Sequence, residues 1–351
     1  MDIVALTPGL GTTSGWKTFS KAVLERLQTT DHVTLVDDLP SPLAMQSSPT
    51  AVLKATQRVR ALAKDADIVY SFIAYPYSLV AYLATRWIET PYVVSCHGTY
   101  AVRPLHTKHR VLATRALWCA DRLFPVSEFT AAQICETLGQ LETITVVPNG
   151  VDQSPNRAAP FDIDAQVLLT VGSIKPRKGH HRVIESLERV VRTVPDVEYH
   201  VVGGGIDGQY QRQVEGISRN LDVADRVYFE GRVSEMELAK WFETADAFVM
   251  LPQYVDHSFE GFGIVYLEAN QYGVPSVGLT GTAAAEAVAH DQSGLLVEDS
   301  PSSVGAALQK ILTNNRLHSR LSSGAQSWAA AHTWDRTVST IRDEMVSVVN
   351  E

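Results

Sequence analysis

Twice in this chain a short apolar run ends in a glycine-framed loop and passes at once into a helical pattern, and that unit constrains the fold more than any other feature. The first copy is Ile3–Thr7, then PGLGTTSG, then a helix pattern over Trp16–Leu27 with Phe19, Val23, Leu24 and Leu27 on one side. The second is Val167–Val171, then GSIKPRKG, then an amphipathic pattern over His180–Arg192. Apolar runs and helical patterns alternate around both copies. The first half predicts further strands at His32–Val36, Ile68–Ile73, Tyr92–Cys96, Arg122–Ser127 and Ile144–Val147. The second half predicts them at Tyr199–Val202, Val227–Glu230, Ala247–Leu251, Pro275–Leu279 and Ser293–Val297. Strands joined through helices run parallel and are covered on both faces, so the alternation predicts α/β, doubly wound sheets. At 351 residues the chain is long for one core. The polar, proline-containing NRAAPFDIDAQ places a linker at about 152–165 and predicts two doubly wound domains facing a cleft, one on either side of it.

Composition excludes several classes. Apolar content of 45% and charged content of 20% are those of an ordinary globular protein. Cys96, Cys119 and Cys135 are odd in number and lack C-x-x-C spacing, which argues against a disulfide framework or a zinc site. MDIVALTPGLG lacks a basic segment followed by a long apolar stretch, so no signal peptide is expected and the expected location is cytoplasmic. The uncharged stretch around Ile68–Leu83 contains Pro76 and is better explained by a buried strand, a turn and a helix than by a membrane span. Net charge is −9, unevenly spread: residues 1–150 carry 13 Lys+Arg against 12 Asp+Glu, and the rest carry 17 against 27. Within the first half, RPLHTKHR (Arg103–Arg110) with Arg115 and Arg122 forms a basic stretch. It could meet anionic lipid, as a peripheral contact on the inner face of a membrane, or a phosphorylated acceptor, or water alone.

Candidate site residues gather at predicted strand ends. In SFEGFGIVYLEANQYGVPSVG (Ser258–Gly278), Glu260 and Glu268 stand eight positions apart around a Gly261-Phe262-Gly263 turn that opens a helix at Ile264. Such a turn brings backbone N–H groups close to a ligand, and a helix N-terminus favours an anion. The same spacing also suits a loop glutamate and a solvated helix glutamate. In GSIKPRKG, Gly172 and Gly179 frame Lys175, Arg177 and Lys178, cations able to neutralise a diphosphate. Gly203-Gly204-Gly205 is another close-approach loop, and His97 follows a predicted strand, where open α/β sheets bind ligands. Ser234 and Glu237 read as a capping box, a structural pair. Gly9, Gly11 and Gly15, with Asp37 about 20 residues on, resemble a dinucleotide fingerprint whose third glycine is one position late.

VGSIKPRKG, VVGGG, SFEGFGIVYLEANQYGVPSVG and SGLLV, in that order and spacing, closely resemble the retaining, metal-independent glycosyltransferases of family 4 with the GT-B fold, a group that includes phosphatidylinositol mannosyltransferases. SCHG, FPVSE, VVPNGVD and HTWDRTVSTI extend the likeness over most of the chain. The resemblance implies a hexosyltransferase with two Rossmann-like domains, an N-terminal acceptor-binding one at 1–155 and a C-terminal donor-binding one at 165–334, and a C-terminal helix near 335–351 that returns to the first. It implies a nucleotide-sugar donor, UDP- or GDP-linked, and a glycan or lipid-linked acceptor in glycan, lipopolysaccharide or glycolipid synthesis. It implies no metal, no cofactor beyond the donor and no nucleic acid. By residue it implies that Lys178 meets the donor diphosphate, Glu260 the sugar hydroxyls and Glu268 the ribose, with Gly172, Ser173, Arg177, Gly204, Gly261, Phe262, Gly263 and Ile264 lining the donor. His97 is implied near the reacting centre, with Gly9, Gly11 and Gly15 on the acceptor side. Ser173 stands where the family commonly has an arginine, and Lys175 or Arg177 would have to replace it. QYVDHS before Glu260 is longer and more polar than the usual link. The rival readings are a nicotinamide-dependent oxidoreductase using the first glycine loop, and a nucleotide-sugar epimerase or binding protein.

Overall fold

A computed structural model describes residues 1–8, 15–39, 48–205 and 208–351. It divides into two compact units: residues 1–150, 256–262 and 334–351 form the first, and residues 151–255 and 263–333 the second.

The first unit is a five-stranded, all-parallel sheet in the order β2-β1-β3-β4-β5. The strands are β1 (Asp2–Pro8), β2 (His32–Leu39), β3 (Ile68–Ser71), β4 (Tyr92–Cys96) and β5 (Arg122–Pro125). Between them run α1 (Gly15–Thr30), α2 (Pro49–Ala63), α3 (Tyr77–Thr85), the one-turn α4 (Thr99–Val102), α5 (Arg110–Trp118) and α6 (Glu128–Leu138). Every residue of β3 and β4 is buried, as expected of strands covered on both faces. The expected strand at Ile144–Val147 is not one. Thr145 and Val147 donate backbone bonds to Leu123 and Pro125 of β5, but the pairing stops at a single bridge from Leu123 to Ile144.

The second unit is a six-stranded parallel sheet in the order β11-β10-β9-β6-β7-β8. Its strands are β6 (Val167–Val171), β7 (Glu198–Val202), β8 (Val227–Gly231), β9 (Ala247–Val249), β10 (Ser276–Leu279) and β11 (Gly294–Val297). Its helices are α7 (His180–Val191), α8 (Gly208–Asn220), α9 (Glu235–Thr244), α10 (Ile264–Gln271), the one-turn α11 (Ala284–Ala287), α12 (Pro301–Thr313) and α13 (Asn315–Ala331). Helix α7 buries Val183, Ile184, Leu187 and Val190 and packs against α12. Helix α9 begins at the expected capping box: Ser234 Oγ accepts from Glu237 N at 3.2 Å, and Glu237 Oε2 accepts from Ser234 N at 2.9 Å. The expected linker packs on this unit, where Phe161 lies 4.6 Å from Trp241 and its N–H donates to Thr244 Oγ1.

The last helix, α14 (Trp334–Asn350), returns to the first unit as the resemblance implied. Its buried Trp334 meets Phe19 of α1 edge-on at 6.0 Å, Asp335 pairs with Arg26, and Arg342 pairs with the buried Asp31 at 2.8 Å.

Strand order fixes where ligand loops can gather. Chain progression reverses between β6 and β9 in the second sheet and between β1 and β3 in the first. The carboxyl ends of strands at such reversals are the natural binding crevices of open α/β sheets.

Candidate functional site

In the second unit the loops after β6, β7 and β9 are tied into one floor. Gly172 N donates to Val202 O at 2.8 Å, Ile174 N to Gly204 O at 3.3 Å, and Gln253 N to Arg177 O at 2.9 Å. Two glycines permit this closeness. A Cβ at Gly203 (φ +152°) would collide with the Gly172 carbonyl, and one at Gly179 (φ +74°) with that of Leu251. Lys178, only 8% exposed, lies across Gly172 with Nζ 3.2 Å from Met250 Sδ. A Cβ at Gly172 would stand 3.2 Å from Lys178 Cε, so a side chain there would press on this lysine. Ser173 and Arg177 are half-buried on the same loop.

Helix α10 starts beside this floor. Gly263 (φ +90°) is its N-cap, no side chain caps it, and a Cβ there would stand 2.7 Å from Tyr266. The first N–H groups of α10, beginning at Ile264, therefore lack a side-chain cap, the usual anion-binding arrangement. Glu268 follows one turn later. Burial pushes its carboxyl up to about 7, against the pull of the Lys178 ammonium.

The first unit holds the other half of the expected set. His97 follows β4 and is buried, with Phe19 edge-on at 4.6 Å. Its Nε2 faces the Phe72 carbonyl at 3.0 Å and must be the donor, which leaves Nδ1 as an acceptor in the neutral ring. Burial lowers the His97 pKa to about 4, despite that hydrogen bond. Residues 256–262 belong to this unit, whereas Lys178 and Glu268 belong to the second. Thr99 Oγ1 donates to Phe259 O and accepts from Phe259 N, both at 2.8 Å. Ser127 Oγ and Thr130 Oγ1 donate to Gly261 O at 2.6 and 3.1 Å. Phe259 is buried in the core of the first unit, edge-on to Phe129. Gly98 (φ +47°) lies so close that a Cβ on it would stand 2.6 Å from Gly261 Cα. The half-buried Glu260 and the buried Phe262 are thus carried on the scaffold of His97.

The longer link before Glu260 has a structural role. Asp256 and His257 both adopt positive φ, 48° and 57°, rare for residues with a side chain, and the His257 ring stacks on His106 at 3.7 Å. Gln253 remains bonded to the lysine loop, so the link carries the chain from one unit to the other.

The structure brings Gly172, Ser173, Arg177, Lys178, Gly204, Gly263, Ile264 and Glu268 together in the second unit, and His97, Glu260, Gly261 and Phe262 together in the first. Gly15 opens α1; Gly9 and Gly11 lie outside the described residues. Thr99, Ser127 and Thr130 were missed by sequence reasoning. The one available signal was FPVSE, whose Ser127 also caps α6 through Thr130 N at 2.9 Å. Arg122, expected in the basic stretch, instead pairs with Glu344 and Glu351 near the C-terminus, both at 3.1 Å. Among the described residues, no three His, Cys, Asp or Glu side chains could hold a metal ion together, and no helix is long and apolar enough to cross a membrane.

Two family models match consecutive parts of the chain: Glycosyltransferase Family 4 over residues 19–154 and Glycosyl transferases group 1 over residues 155–328. Among similar proteins, a GDP-mannose-dependent alpha-(1-6)-phosphatidylinositol monomannoside mannosyltransferase of Mycolicibacterium smegmatis is 28% identical over 281 residues, covering 76% of this chain and 72% of the relative. A D-inositol 3-phosphate glycosyltransferase of Geodermatophilus obscurus is 34% identical, covering 63% of this chain and 51% of the relative. In architecture the chain is similar to Anabaena HepE, solved in complex with UDP and glucose, with a TM-score of 0.79 over 99% of this chain and 100% of that one at 20% identity.

Proposed function

This chain belongs to the family 4 glycosyltransferases of the GT-B fold, and we propose that it moves a sugar from a nucleotide diphosphate sugar to a hydroxyl acceptor with retention of anomeric configuration. The observation that carries the donor assignment is Lys178, a buried ammonium held over Gly172 where the loops after β6, β7 and β9 converge. A cation buried there gains most from a bound anion, because low dielectric strengthens the attraction. A diphosphate supplies the charge, and Arg177 with the N–H groups that open α10 adds donors. No arginine is available at Ser173, so Arg177 takes that share. Glu268 in its ionised form accepts hydrogen bonds from the ribose hydroxyls. Two of the relatives support a phosphorylated-inositol acceptor class; one names GDP-mannose as donor, whereas HepE was solved with UDP.

In the reaction the bond from the anomeric carbon to the diphosphate oxygen breaks and the acceptor oxygen bonds to that carbon from the same face. The departing phosphate oxygen takes the acceptor's proton. Lys178 and Arg177 stabilise the charge that develops on the diphosphate. Glu260 holds sugar hydroxyls, and His97, neutral with Nδ1 as acceptor, orients a hydroxyl without supplying positive charge. Nothing beyond the nucleotide sugar is required as a cofactor under this proposal.

Thermal shift with UDP, GDP and NAD tests it. One nucleoside diphosphate should raise the melting temperature, with about 2.7 kcal/mol of stabilisation at a hundredfold excess over Kd. Lys178→Ala should remove that response while leaving a cooperative melt. Stabilisation by NAD alone would instead favour the oxidoreductase reading.

A further inference from the structure

The first unit carries a groove of about 860 Å³ that none of the chemistry above uses, and its walls are unusual for a solvated face. Its floor is apolar, from Leu79 and Leu83 of the α3 region, Leu112 of α5 and Leu138 of α6. Arg86, Arg110 and Arg115 ring it. Trp118, 54% exposed, and Val111, 79% exposed, line it, and Trp87, 70% exposed, lies against the lining Arg86. Each indole lies beneath a guanidinium: Arg115 is 5.7 Å from the Trp118 ring and Arg86 is 4.8 Å from that of Trp87. Water alone gives no reason to expose two tryptophans, a valine and Leu112 on one face. Indole at the surface with cations beside it is the side-chain chemistry of a lipid–water boundary: the ring sits among headgroups and the guanidinium meets phosphate.

We infer that this face docks the enzyme on an anionic phospholipid surface. Charge complementarity selects that occupant over an apolar partner protein. The charged side chains that line the groove are the arginines, Arg86, Arg110 and Arg115, whereas Glu89 and Asp121 line the smaller cavity next to it. The sequence had suggested a basic segment running to Arg122. The structure replaces Arg122, which is paired elsewhere, with Arg86 and Trp87 from a different part of the chain. Each basic side chain near such a surface contributes on the order of a fivefold gain in affinity, so the three arginines together contribute about a hundredfold, weakening as salt rises.

The test is vesicle co-sedimentation of the full chain with phosphatidylcholine alone and with roughly one third phosphatidylglycerol added, at low and high salt. Wild type should bind the anionic vesicles, release in high salt and ignore the neutral ones. Arg86→Gln/Arg110→Gln/Arg115→Gln should bind about a hundredfold more weakly, and Trp87→Ala/Trp118→Ala should bind anionic vesicles more weakly with less protection from salt. All five side chains are exposed, and an unchanged melting temperature with an unchanged response to nucleoside diphosphate would show that the donor reading stands apart from this one. Equal binding of the triple variant and wild type would overturn the proposal, as would absence of binding to anionic vesicles. A wild-type dimer in sedimentation that Trp118→Ala dissociates, with no vesicle binding, would assign the face to a second copy instead.

Discussion

Glu268 and Lys178 show how one burial shifts a charge balance at the scale of single residues. The Glu268 carboxyl, raised from 4.5 to about 7 by burial, stays protonated in the folded chain through a window in which the unfolded chain has already released its proton. The folded state therefore holds more protons there, and this group makes stability fall as pH rises from about 4.5 to about 7, with no further change above. Glu268→Gln, which cannot titrate, should flatten that part of the curve, so the melting temperature of wild type should drop relative to the variant across the window. Parallel curves would contradict the assignment. Under the proposed donor role the ionised form of Glu268 accepts the ribose hydroxyls, so nucleoside diphosphate affinity in wild type should rise through pH 7 and lose that rise in the variant. Isothermal titration at several pH values measures it.

At the scale of elements, the short segment 256–262 decides which sheet carries Glu260. Its bonds to Thr99, Ser127 and Thr130 make α4 and the start of α6 its scaffold. Thr99→Val removes both hydrogen bonds to Phe259 while keeping the shape of the side chain. It should lower kcat by about tenfold, from a misplacement costing about 1.4 kcal/mol, and leave nucleoside diphosphate affinity within about twofold. Thr99→Ser should restore turnover. A loss of donor binding with kcat unchanged would contradict the positioning role. This is also where sequence reading reached its limit. Strand ends and their loops are local signals, and Lys178, Gly203 and His97 fall at strand ends where the alternation put them. Nothing in SFEGFG says which sheet its backbone bonds to, because the donors are hydroxyls more than 130 positions earlier. The single bridge at Ile144 shows the converse: a run with strand composition stayed short of a strand because Pro125, which accepts from Val147, has no N–H to return, so the reciprocal bonding stops at Leu123.

Across the whole molecule the chain begins and ends in the same unit. Asp31 joins the two: burial would raise its pKa, but Arg342 of α14, the Thr30 hydroxyl and the Met1 ammonium outweigh it and hold the carboxyl down at about 2. That contribution is present at pH values above 3.8 and is lost as pH falls toward 2. Asp31→Asn should leave Arg342 and the ammonium without their counter-charge and cost about 1–3 kcal/mol. Faster hydrogen exchange in β1, α1 and α14 would register it, and unchanged exchange there would show that α14 is held by Trp334 packing alone. The return of α14 could be named from HTWDRTVSTI through resemblance, but its partners could not: Arg26, Asp31 and Arg122 are scattered over the first half and carry no mark of a mate some 230 to 310 residues away. The basic face was half legible for the same reason, since Arg86 and Trp87 join Arg110, Arg115 and Trp118 only in three dimensions. The central claim is retaining transfer from a nucleotide diphosphate sugar held by Lys178, and the most direct measurement is proton NMR of the product formed from a panel of UDP- and GDP-sugars, for wild type and Lys178→Ala. The account predicts consumption of one donor, a product with the donor's anomeric configuration, and a rate at least about a hundredfold lower in the variant. An inverted product, or a variant that turns over like wild type, would contradict it.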